Sequence, residues 1–122
     1  MCQDTGPNDW EVKLNGASRY PQFAAAGKYA RIGYSLPAST WQHVVFTFSS
    51  GNVSAYVNGV LVSLAENTFT GTESLPVQAS GLLIGTDSGQ ANPYAGLLDD
   101  VRIYNRVLNN ASVSALYSAT LH

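Results

Sequence analysis

Charge is scarce in this sequence. Only 11% of its 122 residues are Asp, Glu, Lys or Arg, and the formal net charge is −2. The basic residues (Lys13, Lys28, Arg19, Arg31, Arg102, Arg106) are scattered, so no basic stripe is set up to follow a phosphate backbone and nucleic acid is not an expected partner. Cysteine occurs once, as Cys2. That excludes an internal disulfide framework and any multi-cysteine metal site, and leaves a free thiol on a loose terminus. No apolar run reaches the length a bilayer demands, and residues 1–10 lack the apolar centre of a signal peptide. A chain of this sequence working outside the cell is then a mature form or an excised piece.

What is present points to sheet. Hydrophobic residues make up 45%, with 11 Gly and 7 Tyr, a composition suited to strands joined by many turns. The length fits one domain over residues 1–122, burying roughly two-thirds of its unfolded surface. The densest signal is Trp41 to Leu64, three strands with almost no connecting material. Trp41–Ser49 is rich in β-branched and aromatic residues. Ser50-Gly51 turns it into Val53–Val57, and Asn58-Gly59 turns that into Val60–Leu64. Asn-Gly is the strongest short hairpin signal, because a type I′ turn needs φ > 0 at both central residues. Alternation places Val53, Ala55 and Val57 on one face and Ser54, Tyr56 and Asn58 on the other.

Around this meander, residues 1–9 read as a loose lead-in. Trp10–Leu14 is a short alternating strand. Residues 15–28 read as loop, with room for an edge strand near Gln22–Ala25, and Tyr29–Tyr34 is another strand. Residues 65–81 form a long polar connection with one ragged strand around Leu75–Gln78. Leu82–Gly85 is a short buried strand, Thr86–Pro93 an open loop, and Tyr94–Tyr104 a last long strand. Asn109 can cap a helix from Asn110 to about Tyr117 that buries Val113, Leu116 and Tyr117. Strands with one terminal helix make an antiparallel sandwich.

The blocks W-x-H-V-V-F-T-F, V-S-A-Y-V-N-G-V-L-V, L-L-I-G and Y-A-G-L-L-D-D-V-R-I-Y-N-R-V-L, in that order over residues 29–117, resemble the concanavalin A-like lectin/glucanase superfamily. They look closest to its laminin-G-like, pentraxin-related modules. The resemblance implies an all-β jelly-roll sandwich of two antiparallel sheets with one short C-terminal helix. It also implies glycan or protein binding through rim loops, often with calcium, in non-catalytic modules of bacterial and viral surface proteins. Two departures stand out. Modules of this kind carry strands ahead of the one matched by Trp10–Leu14, so the chain is a fragment or a shortened version. Ser112 stands where Glu would complete a capping box, so the helix start should fray.

Catalysis finds little support. A retaining glycosidase needs two carboxylates about 5–5.5 Å apart, and Glu11, Glu66 and Glu73 do not form the Glu-x-Asp-x-x-Glu pattern of the superfamily's enzymes. Asp99 and Asp100 are neighbours on the expected strand and point to opposite faces. His43 has no serine motif or second histidine at ligand spacing and reads as a structural residue. Asp99 shares its expected face with Leu97, Val101 and Ile103, where an unpaired carboxylate costs several kcal/mol. Either hydrogen bonds or a cation must satisfy it. The resemblance of Asp99–Tyr104 to the glucanases' late strand makes calcium at Asp99 the metal expectation, although calcium takes six to eight oxygens.

For binding, Asp87, Asn92 and Tyr94, with Ser88 and Gln90, combine donors, acceptors and an aromatic plate, the mixture a sugar uses. Tyr20, Tyr34 and Tyr56 are secondary aromatic candidates. The expectation is a non-catalytic carbohydrate-binding or adhesion module, extracellular or on a cell or virion surface, whose partner is a glycan or a surface protein without membrane insertion. The alternative is a purely structural or assembly sandwich with no small ligand. About seven strands are available by pattern, so open edges are expected to pair copies into a homo-oligomer through Trp10–Leu14 or Tyr29–Tyr34. Alternatively residues 15–28 and 65–81 fold over the gap.

Overall fold

The computed structural model describes residues 10–15, 19–75, 84 and 95–120. Strands β1 (Trp10–Asn15), β2 (Tyr20–Ala25), β3 (Lys28–Ile32), β4 (Val44–Ser49), β5 (Asn52–Val57), β6 (Val60–Val62) and β7 (Leu64–Asn67) precede helix α1 (Asn110–Ala119). One sheet has the order β1-β2-β3-β7 and the other β4-β5-β6, with every pairing antiparallel. The expected sandwich of two antiparallel sheets with one short C-terminal helix is the observed fold.

Three hairpins share one turn chemistry. Ala26-Gly27 (φ 51° and 74°), Ser50-Gly51 (48° and 77°) and Asn58-Gly59 (51° and 80°) are all left-handed at both central residues. That backbone twists the same way as the strands it joins, and glycine in second place adopts it without strain.

Between the sheets the core is aromatic at one end and aliphatic at the other. Phe23 of β2 lies 6.1 Å from Phe46, 5.6 Å from Phe48 and 6.0 Å from Phe69, ring centre to ring centre. Ile32 of β3 buries against Ala55 and Val57 of β5, with Leu36, Phe46, Val62 and Leu64 around them. Alternation along β5 sends Tyr56 the other way, and that face is covered too. Tyr56 is 4% exposed and packs with Leu108 and Val113, flanked by Val45 and Leu116. Its hydroxyl donates to Asn110 Oδ1 at 2.7 Å, which satisfies a polar atom buried there. The cap is as expected: Asn109 Oδ1 accepts the Ser112 amide at 2.8 Å, and α1 runs on to Ala119.

Several expectations are corrected. The Gln22–Ala25 stretch is not an edge strand. β2 is an inner strand, almost wholly buried, and Pro21 fits there because at that position β2 pairs with β1 while its β3 register begins at Gln22. β3 is also an inner strand and ends at Ile32. The third strand of the meander ends at Val62; after Ser63 the chain crosses to the other sheet as β7, inside a stretch read as connection. The Asn58-Gly59 turn is half-buried against α1: a Cβ on Gly59 would meet Tyr117 at 3.1 Å and Ser114 at 3.4 Å.

The last expected strand is the largest difference. Residues 95–104 lie in no strand, and Asp100 has φ 51°, a left-handed residue that breaks an extended run. Leu97, Leu98, Val101, Ile103 and Tyr104 are exposed, Leu97 by 77%. Ile84 is exposed and outside any strand. The rest of the Leu82–Gly85 strand, residues 76–78 and Cys2 lie outside the described residues.

Candidate binding face

Directly opposed residues of antiparallel strands share a face. Lys13 opposes Gln22, Gln22 opposes Arg31, and Arg31 opposes Glu66. One face of the first sheet therefore carries a polar row across all of its strands, β1 to β7, in which Gln22 is wholly buried. At the usual strand spacing the row spans roughly 14 Å. Beside it, Glu11 opposes Ala24 and Ala24 opposes Tyr29, so the two rows together hold the sheet's charged groups except Lys28, which opposes Ala25.

Arg31 is the centre of this face. Its guanidinium lies 5.8 Å from the Tyr20 ring centre and 5.9 Å from that of Tyr29, within cation–π range of both. It also donates to Glu66 Oε1, while the Tyr29 hydroxyl donates to Glu66 Oε2 at 2.6 Å. The hydrogen bond from Tyr29 and then that from Arg31 hold the Glu66 pKa below the ordinary carboxylate range, against a smaller upward push from desolvation. At the other end of the row Lys13 pairs with Glu11 at 2.7 Å. The outcome is a charge-balanced strip of planar groups with two phenol rings at its centre.

Two further polar clusters are structural. Glu73 folds back on its own loop, accepting from the Thr70 hydroxyl at 2.8 Å and the Thr70, Gly71 and Thr72 amides at 3.0, 3.2 and 3.2 Å. Desolvation pushes its pKa up, but these bonds outweigh it and lower the value from 4.5 to about 2. The loop so clamped seats against the Ser50-Gly51 turn, where a Cβ on Gly51 would collide with Glu73 Oε1. His43 sits 5.8 Å from the Tyr117 ring. Burial, and next the positive charge of Arg102, hold its pKa below 6.5, with Asp100 pulling weakly the other way. A neutral, packed His43 is the structural residue the sequence suggests.

The expected site residues fare differently. Asp87, Asn92 and Tyr94 lie outside the described residues. Tyr20 belongs to the binding face, Tyr34 is exposed apart from it, and Tyr56 is buried beneath α1. Asp99 is not on a buried strand face. It is exposed, and its Oδ1 accepts the Asp100 amide at 2.8 Å. Among the described residues no group of three or more His, Cys, Asp or Glu gathers to hold a metal. Arg31 and Glu66, 35 positions apart, carried no local signal; only the β3–β7 register brings them together.

Two packed antiparallel sheets, with a helix on the outer face of one and a polar strip on the other, make a β-sandwich domain. The chain belongs to the concanavalin A-like lectin/glucanases superfamily, whose laminin-G-like family model matches residues 2–114. It is 27% identical over 78 residues to adhesion G-protein coupled receptor V1 of Danio rerio, a match that covers 64% of this chain and 1% of the receptor. In fold it is similar to an S-layer domain-containing protein from Clostridium thermocellum, with a TM-score of 0.54 at 22% identity over 96% of this chain and 66% of that one.

Proposed function

We propose that this domain is a non-catalytic recognition module of a surface or secreted protein, and that it binds a neutral glycan on the outer face of its four-stranded sheet. The cross-strand row Lys13–Gln22–Arg31–Glu66 carries the reading. A glycan is recognised by planar groups that pair with adjacent hydroxyls and by rings that stack on its C–H faces. Arg31 and Glu66 supply the first, and Tyr20 and Tyr29 the second. Glu66, held ionised, accepts hydroxyl protons at any ordinary pH. Lys13 and Arg31 are matched by Glu11 and Glu66, so the strip favours a neutral chain over an acidic polysaccharide. The similarity to an adhesion receptor and to an S-layer domain-containing protein supports placement outside the cell. No helix among the described residues is long and apolar enough to cross a membrane.

The spacing of carboxylates supports the absence of hydrolysis. Glu11 and Glu66 stand on opposite edge strands of one sheet, roughly 14 Å apart by strand spacing, beyond the roughly 5–9.5 Å that glycosidase pairs use.

A glycan array, read with and without added calcium, tests the proposal. Binding to neutral oligosaccharides should fall at least tenfold in Arg31→Ala and in Tyr20→Ala, with melting checked for each. Binding lost instead in an Asp87→Ala/Asn92→Ala/Tyr94→Ala triple variant moves the site to those residues. Calcium-dependent binding abolished by Asp99→Asn restores the metal reading. No binding to any glycan leaves the purely structural alternative.

A further inference from the structure

Asn-Gly is the dipeptide most prone to deamidation, because glycine leaves its own backbone nitrogen free to attack the carboxamide before it. Asn58-Gly59 is such a pair. In that reaction the Gly59 N–H gives its proton to hydroxide and the nitrogen bonds to Asn58 Cγ. The Cγ–Nδ2 bond breaks and ammonia leaves. Water then opens the five-membered imide at either of its carbonyls, to aspartate or to isoaspartate. In isoaspartate the main chain runs through the side chain and is one methylene longer.

Three features of the fold oppose that ring closure. Asn58 and Gly59, at φ 51° and 80°, form the type I′ turn between β5 and β6, in which ψ of the first residue is about +30°. That ψ holds the Gly59 nitrogen on the far side of the Cα–C bond from Asn58 Cβ, whereas the ring needs the two eclipsed. The carboxamide is also held at both ends: its Oδ1 accepts the His43 amide at 2.9 Å, and its Nδ2 donates to Gln42 Oε1 at 2.9 Å. The Asn58 amide in turn donates to His43 O at 2.8 Å, so main chain and side chain both tie the turn to the residues leading into β4. Finally, α1 closes over the turn. Tyr117, whose ring lies 5.8 Å from that of His43, and Ser114 stand within 3.4 Å of where a Gly59 Cβ would be. Swinging the Gly59 peptide round to meet Cγ drives it against the helix and breaks the Val57–Val60 pair that flanks the turn.

We propose that Asn58 is a conditional modification site, shut to deamidation in the folded domain and opened when α1 leaves the β5–β6 turn, and that its isoaspartate product cannot return to the fold. Helix departure is a local opening, which costs less than global unfolding. In a hairpin the length of the turn fixes the register of its strands. An added methylene therefore parts Val57 from Val60, and it lengthens a turn that has no free space beneath Tyr117. Opening of the domain is thereby recorded in the chain as a covalent, one-way change. The inference stands apart from the glycan reading.

Mass spectrometry with residue-level assignment, on the full chain held at neutral pH with and without guanidinium chloride, tests this. Deamidation at Asn58 is expected to run at least tenfold slower in the folded chain than in denaturant. Tyr117→Ala should speed it under folding conditions while the far-UV spectrum is kept. Once denaturant is removed, isoaspartate at position 58 should collect in the fraction that does not regain a compact form by size exclusion. Equal rates in the folded and denatured chain overturn the proposal, and that comparison needs no variant. A folded Tyr117→Ala chain that deamidates no faster than the unaltered one overturns the part given to α1. Isoaspartate shared evenly between the refolded and unrefolded fractions overturns the one-way change.

Discussion

Glu73 shows how much one carboxylate can be asked to do. It gathers three amides and a hydroxyl of its own loop and holds that loop against the Ser50-Gly51 turn. Its folded pKa is near 2, against 4.5 ordinarily. A depressed folded pKa means the unfolded chain binds the proton first, so the stabilisation is complete above pH 4.5 and is lost as pH falls toward 2. Denaturation midpoints measured from pH 5 to pH 2 should therefore fall less steeply in Glu73→Gln than in the unaltered chain. Parallel slopes would mean the clamp does not contribute. Nothing in Thr-Gly-Thr-Glu announces this role locally, because the carboxylate serves a turn some twenty residues earlier. Arg31 and Glu66 are the same case across two strands: each reads alone as a surface charge, and together they form the centre of the proposed binding face.

At the scale of elements, the hairpins were legible in the sequence and their surroundings were not. Asn58-Gly59 identifies a type I′ turn by chemistry alone, since few residue pairs tolerate two left-handed positions. That the turn is pinned under α1 depends on residues more than fifty positions away. Gly59→Val should therefore cost more than its backbone strain. With φ 80° and Tyr117 at 3.1 Å from the new Cβ, a loss of about 2–4 kcal/mol is expected in chemical denaturation. A loss within the error of the measurement would show that α1 yields freely. The alternation of β5 was likewise readable, yet its polar-looking face proved to be covered, because a buried tyrosine needs only one partner for its hydroxyl and Asn110 supplies it. The Leu97–Tyr104 stretch is the reverse case. Its apolar Leu97, Val101 and Ile103 would share one side of an extended run, and it forms no strand. Pattern shows that a segment can pair, but the left-handed backbone of Asp100, φ 51°, interrupts this one.

For the whole molecule, the two sheets depend on one another through Phe23, whose ring meets rings from β4 and from the β7–loop junction. Phe23→Ala should cost about 3–5 kcal/mol, and both sheets should melt in one cooperative transition that is simply displaced to lower temperature. Two separated transitions would show that the sheets are independent units.

The sequence by itself determined the class of fold, the turns, the helix and its cap. Each of these is written in residues within a few positions of one another, where steric limits on φ and the spacing of apolar side chains act directly. Tertiary structure alone decided the order of strands, the burial of β2, the departure of β7 to the other sheet, and the row Lys13–Gln22–Arg31–Glu66. Those follow from register between strands distant in the chain. Register is chosen by which apolar faces can be covered at once, a property of the assembled sandwich and of no single segment.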